Sequence, residues 1–427
     1  MTMLSLEVYQ QKLLEENKNM KALWFAMTSS CYDVRNTGSW IEALEKIFKK
    51  YLPDVELGIA FEHQDEVFKV DREGVTYYPI HIQRTLSPKN NYELLRPHYL
   101  KVIEDFKPDI IHCFGTERWH YGLMAKEVEV PFVIHIMGFM NVHNLMDEIV
   151  LHQHDYIKYF NYNPIKYLIH KREYKTKQEN QELERGVMTA NKYFMGRTEW
   201  DKNIVKYYSP GSMYYHCEEA IREEIYNAPI KWSFNPRKKI RLITIGNASS
   251  LKGYEMMLRT AWLLKNQFHF DFEWFYTSNE YTLRFFENVV GIKHDDVNIK
   301  LTGRLNASEI AKQLANADFY IHPSIIENSP NTVCEAQLIG TPIISTNAGG
   351  IPSLIEDEKT GFLYPYSEPH ALAFKIMNLA GNKEKLEKVS DNEYRVSHNR
   401  HNPENIANDI YKIYKDIMSD YNSSKSN

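Results

Sequence analysis

Short apolar runs of strand length alternate with segments of helical period through most of this chain, and few architectures tolerate that alternation other than parallel sheets covered by helices. The pattern predicts strands at Ala22–Met27, Val55–Ala60, Ile110–Phe114, Phe132–Ile136 and Tyr193–Met195 in the first half. In the second half it predicts them at Ile240–Ile245, Phe272–Tyr276, Ile299–Leu301, Phe319–His322, Pro342–Ser345 and Gly361–Tyr364. A chain of 427 residues exceeds one ordinary core. Two domains of roughly 150–200 residues each follow. The break falls within Ser209–Lys239, where both patterns fail and Pro210, Gly211, Pro229 and Pro236 interrupt the chain. The expected division is an α/β unit over 1–208, a linker over 209–236 and a second α/β unit over 237–400. A final helix over 401–421 is capped by Asn402 and carries Ile406, Ile410, Ile413 and Ile417 on one face, ahead of a disordered tail at 422–427.

With 43% hydrophobic and 25% charged residues the composition is that of a soluble globular protein. No run approaches the ~18 apolar residues of a membrane span, and the acidic N-terminal stretch is unlike a signal peptide, so a cytoplasmic location is expected. Cys31, Cys113, Cys217 and Cys334 are scattered, with no spacing suited to a zinc site or a disulfide framework. A net charge of −5 argues against nucleic-acid binding. Against that balance, Lys158–Lys177 holds six Lys and Arg, several aromatics and a single acid, Glu173. This stretch, or the predicted helix Trp40–Tyr51 with Lys46, Lys49 and Lys50, suits peripheral contact with anionic lipid; a solvated face is the alternative.

The chemistry concentrates in Glu327-Asn-Ser-Pro-Asn-Thr-Val-Cys-Glu335. A strand and a Pro-Ser turn precede it, and Pro330 and Asn331 open a helix that stops at Gly340. A helix start reached directly from a strand offers free N–H groups, here those of Asn331 and Thr332, and the positive end of a dipole, both suited to a diphosphate. Glu327 in the loop can accept hydrogen bonds from sugar hydroxyls, and Glu335, about one turn into the helix, can hold two ribose hydroxyls. Between the first strand and helix of the second unit, Gly246-Asn247-Ala-Ser-Ser250-Leu-Lys252-Gly253 combines glycines that permit close approach with a lysine able to neutralise a leaving diphosphate.

The segment HPSIIENSPNTVCEAQLIGTPIISTNAGGIPSLIEDEKTGFLYP resembles the donor half of the family-4 retaining GT-B glycosyltransferases, whose signature is this E-x7-E spacing. ITIGNASSLKGYEMMLRTAWLL, LTGRLNASEIAKQLANADFYIHPS and IIHCFGTE carry the likeness further, and FMGRTEWDKNIVKYYSPGSMYYHCEEAIREEIY is similar to a capsule and exopolysaccharide subgroup. The resemblance implies a GT-B fold, with two doubly wound Rossmann-like domains facing each other across a cleft and the last helix crossing back to the first. It also implies a nucleotide-sugar as substrate rather than any cofactor, and Lys252 as the phosphate-binding cation. Many relatives carry an arginine right after the first glycine, where this chain has Asn247. Either Arg304 or Arg197 replaces that cation, or Lys252 acts with backbone, Ser249 and Ser250 donors.

On the acceptor side the candidates are Gly38, Glu117, His135, Met137 and Arg197. Gly38 matches a glycine-rich loop of relatives or is a plain turn glycine. Glu117 and Met137 follow strands whose carboxyl ends should face the cleft. Relatives often place a histidine directly before the glycine at 138; here Met137 stands there and His135 lies two residues earlier, reaching the cleft or remaining in the core. Arg197 reaches the phosphates or acceptor, or ties the linker to Glu199 or Asp201.

No DxD-type cluster offers a metal site in a suitable loop, so the expected mechanism is metal-independent: a front-face displacement in which Lys252 and the helix N–H groups meet the departing charge. A UDP-sugar is the first choice of donor and GDP-mannose the second, with a glycan or polyprenyl-linked acceptor. The competing readings are a GT-B sugar-nucleotide epimerase and a catalytically silent nucleotide-sugar-binding protein. A dehydrogenase is disfavoured, since no GxGxxG follows either first strand.

Overall fold

The computed structural model describes residues 19–33, 40–117, 120–152, 163–249 and 251–425. Among them, eight strands form one sheet: β1 (Lys21–Phe25), β2 (Glu56–Glu62), β3 (Val70–Arg72), β4 (Val75–Ile80), β5 (Ile110–Phe114), β6 (Phe132–His135), β7 (Tyr193–Gly196) and β8 (Met213–His216). Their order is β3-β4-β2-β1-β5-β6-β7-β8, parallel except for the antiparallel β3–β4 pair. Six parallel strands form the second sheet: β9 (Ile240–Thr244), β10 (Phe272–Tyr276), β11 (Ile299–Leu301), β12 (Phe319–His322), β13 (Ile343–Thr346) and β14 (Phe362–Tyr364), in the order β11-β10-β9-β12-β13-β14.

Continuous apolar runs become central strands because helices cover both faces and leave no solvated side for alternation. Every residue of β5, β12 and β13 is buried. In the first sheet Trp24, Phe114 and Tyr193 face one core, and Leu23, Phe25, Ile134 and Phe194 face the other. In the second, Leu242, Trp274 and Ile321 oppose Ile243, Tyr320 and Ile343 in the same way.

The helix Pro403–Lys425 belongs to the first of these cores, where Ile406, Ile410, Tyr414 and Ile417 pack with the helix Trp40–Tyr51. Tyr414 Oη accepts from Trp24 Nε1 at 3.1 Å and lies 2.6 Å from His112 Nδ1, whose Nε2 is 3.1 Å from His135 Nδ1. Asn402 caps the helix, its Oδ1 accepting from Asn405 N–H at 3.0 Å.

Three expectations need correction. Met213–His216 lies inside the segment read as linker, yet it pairs along β7 as an edge strand. It is half covered at every position but the last, so its sequence shows neither alternation nor a fully apolar run. The hairpin β3–β4 was missed because its turn, Glu73-Gly74, puts a glutamate at φ 48° where asparagine is the usual signal. The last helix also runs past Tyr421 to Lys425, held by Lys425–Glu129 and Lys192–Asp420 ion pairs to the first domain. None of the described helices is long and apolar enough to cross a membrane.

Candidate functional site

In each sheet the strand order reverses once, between β1 and β5 and between β9 and β12, and the crevice beyond the carboxyl ends at such a point is where ligands bind in open α/β sheets. The segments leaving β9 and β12 are stitched together. Ile325 N–H donates to the Leu251 carbonyl at 2.8 Å. Gly253 adopts φ +70°, and a Cβ there would lie 2.0 Å from the Pro323 carbonyl oxygen. Gly253→Ala should therefore destabilise the protein by more than the ~1–2 kcal/mol of a left-handed residue alone; an unchanged thermal denaturation midpoint would show that the loop yields.

This stitching places Lys252 Nζ in a short ion pair with Glu327 Oε1. His322 Nε2 lies 3.8 Å from the same oxygen. Burial raises the Glu327 carboxyl, but Lys252 and then His322 outweigh it and hold the group below the usual carboxylate range. Burial also pushes His322 down to about 4, so the imidazole is neutral. Gly246, at φ +141°, donates its N–H to Thr277 Oγ1 at 2.9 Å, and Asn247 is exposed beside it. Ser250 lies outside the described residues. Arg304 is exposed after β11 and makes no hydrogen bond or ion pair among the described residues, so nothing joins it to the Lys252–Glu327 pair.

The helix Asn331–Ile339 starts after Pro330 with no side-chain cap, and ends at Gly340 with φ +76°. The absent cap leaves the first N–H groups for another acceptor. Thr332, the second residue of this helix, is half-buried. The Asn331 amide, oriented to satisfy its neighbours, donates to both Glu219 oxygens at 2.7 and 2.9 Å. Glu335 is 4% exposed, with Oε1 accepting from Arg222 Nε at 3.0 Å and Nη2 at 2.5 Å. Its Oε2 is buried without a partner, and burial, opposed by Arg222, raises the carboxyl above its ordinary range.

The first domain supplies the facing wall. Arg197, at the carboxyl end of β7, forms a fully buried ion pair with Glu219. This partner is neither Glu199 nor a solvent-facing ligand site. Asp201 instead caps the Arg197 and Thr198 N–H groups and completes a capping box with Thr198. Thr198 Oγ1 donates to Asn328 Oδ1 at 2.7 Å, and Asn328 Nδ2 donates to the Met137 carbonyl at 3.3 Å, so this buried amide is bonded twice to the first domain. Gly350 completes the seam, since a Cβ there would meet the Asn328 carbonyl oxygen at 2.1 Å and Thr198 Cγ2 at 2.7 Å.

His135 stays in the core. It is 1% exposed, with its ring edge-on to Trp40 at 5.2 Å and burial holding it well below its ordinary pKa. On this first-domain wall the imidazole that feels the Glu327 and Lys252 charges is His143, lowered chiefly by burial. Its Nε2 is buried without a partner, and its ring and the Glu117 carboxylate both border the Cα of Gly138. Glu117 thus lies beside His143 and Gly138. Gly38 lies outside the described residues.

Sequence reasoning missed Glu219, Arg222, Asn328 and His143. Glu219 and Arg222 sit in CEEAIREE, a charged loop whose partners lie 22 and 113 residues away, and no local pattern signals such pairs. Asn328 was legible only as a member of the 327–335 motif.

Residues 239–382 match the family described as glycosyl transferases group 1. The amylovoran biosynthesis glycosyltransferase AmsK of Erwinia amylovora is 25% identical over 194 residues, 42% of this chain and 45% of that protein. The putative colanic acid biosynthesis glycosyltransferase WcaL of Escherichia coli strain K12 is 32% identical over 84 residues, 18% and 21% of the two chains. This chain thus spans less than half the length of either curated relative. Among solved structures, sucrose-phosphate synthase from Thermosynechococcus elongatus superimposes with a TM-score of 0.70 at 12% identity, covering 94% of this chain and 99% of the other. Anabaena HepE in complex with UDP and glucose gives 0.63 at 15%, covering 93% and 100%. At such identities the likeness speaks for the fold alone. Two largely parallel sheets with crevices at their order reversals, on a path shared with these structures, make the fold GT-B, and residues 239–382 are similar to the glycosyl transferases group 1 family.

Proposed function

We propose that this chain is a retaining glycosyltransferase that takes a sugar from a nucleoside diphosphate sugar, a UDP-sugar before GDP-mannose, and passes it to a glycan or polyprenyl-linked acceptor in surface polysaccharide synthesis. The observation that carries the reading is the Lys252–Glu327 pair, seated at the order reversal of the second sheet with the uncapped Asn331 helix in the same motif. The names of the amylovoran and colanic acid relatives support the acceptor class. The UDP bound to HepE supports the choice of base.

In this reading the diphosphate lies between Lys252 and the Asn331 and Thr332 N–H groups, fixed dipoles that need not reorganise as charge develops. Glu327 accepts from the transferred sugar's hydroxyls. Glu335, with Oε1 fixed by Arg222, offers its unpartnered Oε2 to a ribose hydroxyl. The acceptor oxygen bonds to the anomeric carbon on the face from which the phosphate departs. The carbon–phosphate-oxygen bond breaks, and the departing phosphate oxygen takes the acceptor's proton, so the step calls for no metal. On the facing wall, neutral His143 can accept a hydrogen bond that orients the incoming hydroxyl.

A thermal-shift series with UDP, GDP, ADP and their sugars tests the donor site. Selective stabilisation by UDP compounds is expected, about 2.7 kcal/mol at a hundredfold excess over Kd. Indifference to every nucleotide would overturn the reading. A silent binder, the reading favoured by exposed Asn247, would give the shift without releasing UDP from UDP-sugar, with or without acceptor.

A further inference from the structure

Two helices of the first domain expose apolar side chains that elsewhere in the chain lie in a core. The helix Met140–His152 runs antiparallel to the second half of the helix Pro164–Ala190. Asn141 Nδ2 donates to Glu184 at 2.6 Å and to the Gln181 carbonyl at 3.2 Å, while Lys177 pairs with Asp147 at 2.5 Å. At about 1.5 Å per residue, Ile165–Ile169 project roughly 12–18 Å beyond that ion pair, toward the end of the shorter helix.

On this projecting turn Ile165, Leu168 and Ile169 are 66%, 64% and 52% exposed, and on the shorter helix Leu145 and Ile149 are 55% and 43% exposed. Spacings of three and four put each set on one stripe of its helix. Beside Ile165, Leu168 and Ile169 the cations Lys171, Arg172 and Lys175 are exposed with one acid, Glu173, among them, while on the shorter helix Asp147 is paired with Lys177 and Glu148 precedes Ile149, in a chain whose net charge is −5. An aliphatic ridge flanked by cations, against an otherwise acidic molecule, is complementary to a surface that is apolar beneath and negative above. The other basic helix fails this test. In Trp40–Tyr51, Lys46 and Lys49 are paired with Glu42 and Glu73, and the apolar face is buried in the core.

We propose that the ridge formed by Leu145, Ile149, Ile165, Leu168 and Ile169, with Lys171, Arg172 and Lys175, docks the protein on an anionic lipid bilayer. The shorter helix begins two residues after Gly138, at the wall holding Glu117 and His143, and its 13 residues span about 20 Å. A docked bilayer therefore lies within reach of the cleft. That consequence, delivery of a lipid-linked acceptor, rests on the glycosyltransferase reading; the docking itself does not.

The test is co-sedimentation of the full chain with vesicles of phosphatidylcholine alone and of equal parts phosphatidylglycerol and phosphatidylcholine, at low and high salt. Binding to the anionic vesicles at low salt is expected, weakened by salt and by omission of phosphatidylglycerol. The triple substitution Ile165→Glu, Leu168→Glu and Ile169→Glu should weaken it by about tenfold or more. The triple substitution Lys171→Glu, Arg172→Glu and Lys175→Glu should do the same if the aliphatic variant proves unstable. Both variants should keep the wild-type thermal response to nucleotide, which separates loss of docking from failure of the donor site. No binding at low salt overturns the proposal. So does a folded variant that binds as wild type, or a self-associated wild type whose dimer, rather than vesicle binding, the aliphatic substitutions abolish.

Discussion

Replacing Lys252 with alanine should lower turnover on the order of 10²–10³-fold, about 2.7–4 kcal/mol, with little change in acceptor KM. Among the described residues Lys252 is the cation that the folded loops bring to Glu327, since Asn247 carries no charge and Arg304 makes no hydrogen bond or ion pair there. On the proposed reading its charge is the one that meets the leaving diphosphate. In the ligand-free protein the ammonium is already neutralised by Glu327. On that reading donor binding exchanges one anionic partner for another while the carboxylate turns to sugar hydroxyls. Arginine at 252 should retain more activity than glutamine if charge rather than hydrogen bonding matters. A near-normal rate in the alanine variant, measured as single-turnover transfer, would remove Lys252 from the chemistry.

The second large effect concerns stability. Arg197→Met leaves Glu219 buried with the Asn331 amide but no countercharge, and breaking a buried pair from one side costs about 3–5 kcal/mol. The double variant Arg197→Met, Glu219→Gln should recover much of the loss, because the neutral amide needs no counterion and its carbonyl still accepts from Asn331. Thermal denaturation midpoints of the two single variants and the double variant give the coupling. Additive losses would mean that the pair is not the unit described. Because Asn331 opens the helix read as the phosphate site, the single variant should also blunt the nucleotide response.

Much of this molecule could be read from residue order. Central strands such as Ile110–Phe114 and Phe319–His322 are buried on both faces and so appear as plain apolar runs. Thr198 and Gly340 mark helix ends by local rules that need no tertiary knowledge. What stayed hidden was non-local. Met213–His216 is a strand only because β7 lies beside it, and Arg197 has a role only because residue 219 folds back against it. His143 was passed over for a similar reason. Attention to strand ends favoured His135, whereas the available imidazole sits one helical turn beyond Gly138.

The helix Pro403–Lys425 closes the first sheet, with Tyr414 reaching Trp24 and His112 some 390 and 302 positions away. The first domain is consequently not a contiguous stretch of polypeptide. As the chain emerges from a ribosome, the helix Trp40–Tyr51 can cover part of that face of its earliest sheet, but the cover is completed only when residues 403–425 have been made, long after the second domain can collapse. The first domain is therefore finished last, by residues close to the end of the chain.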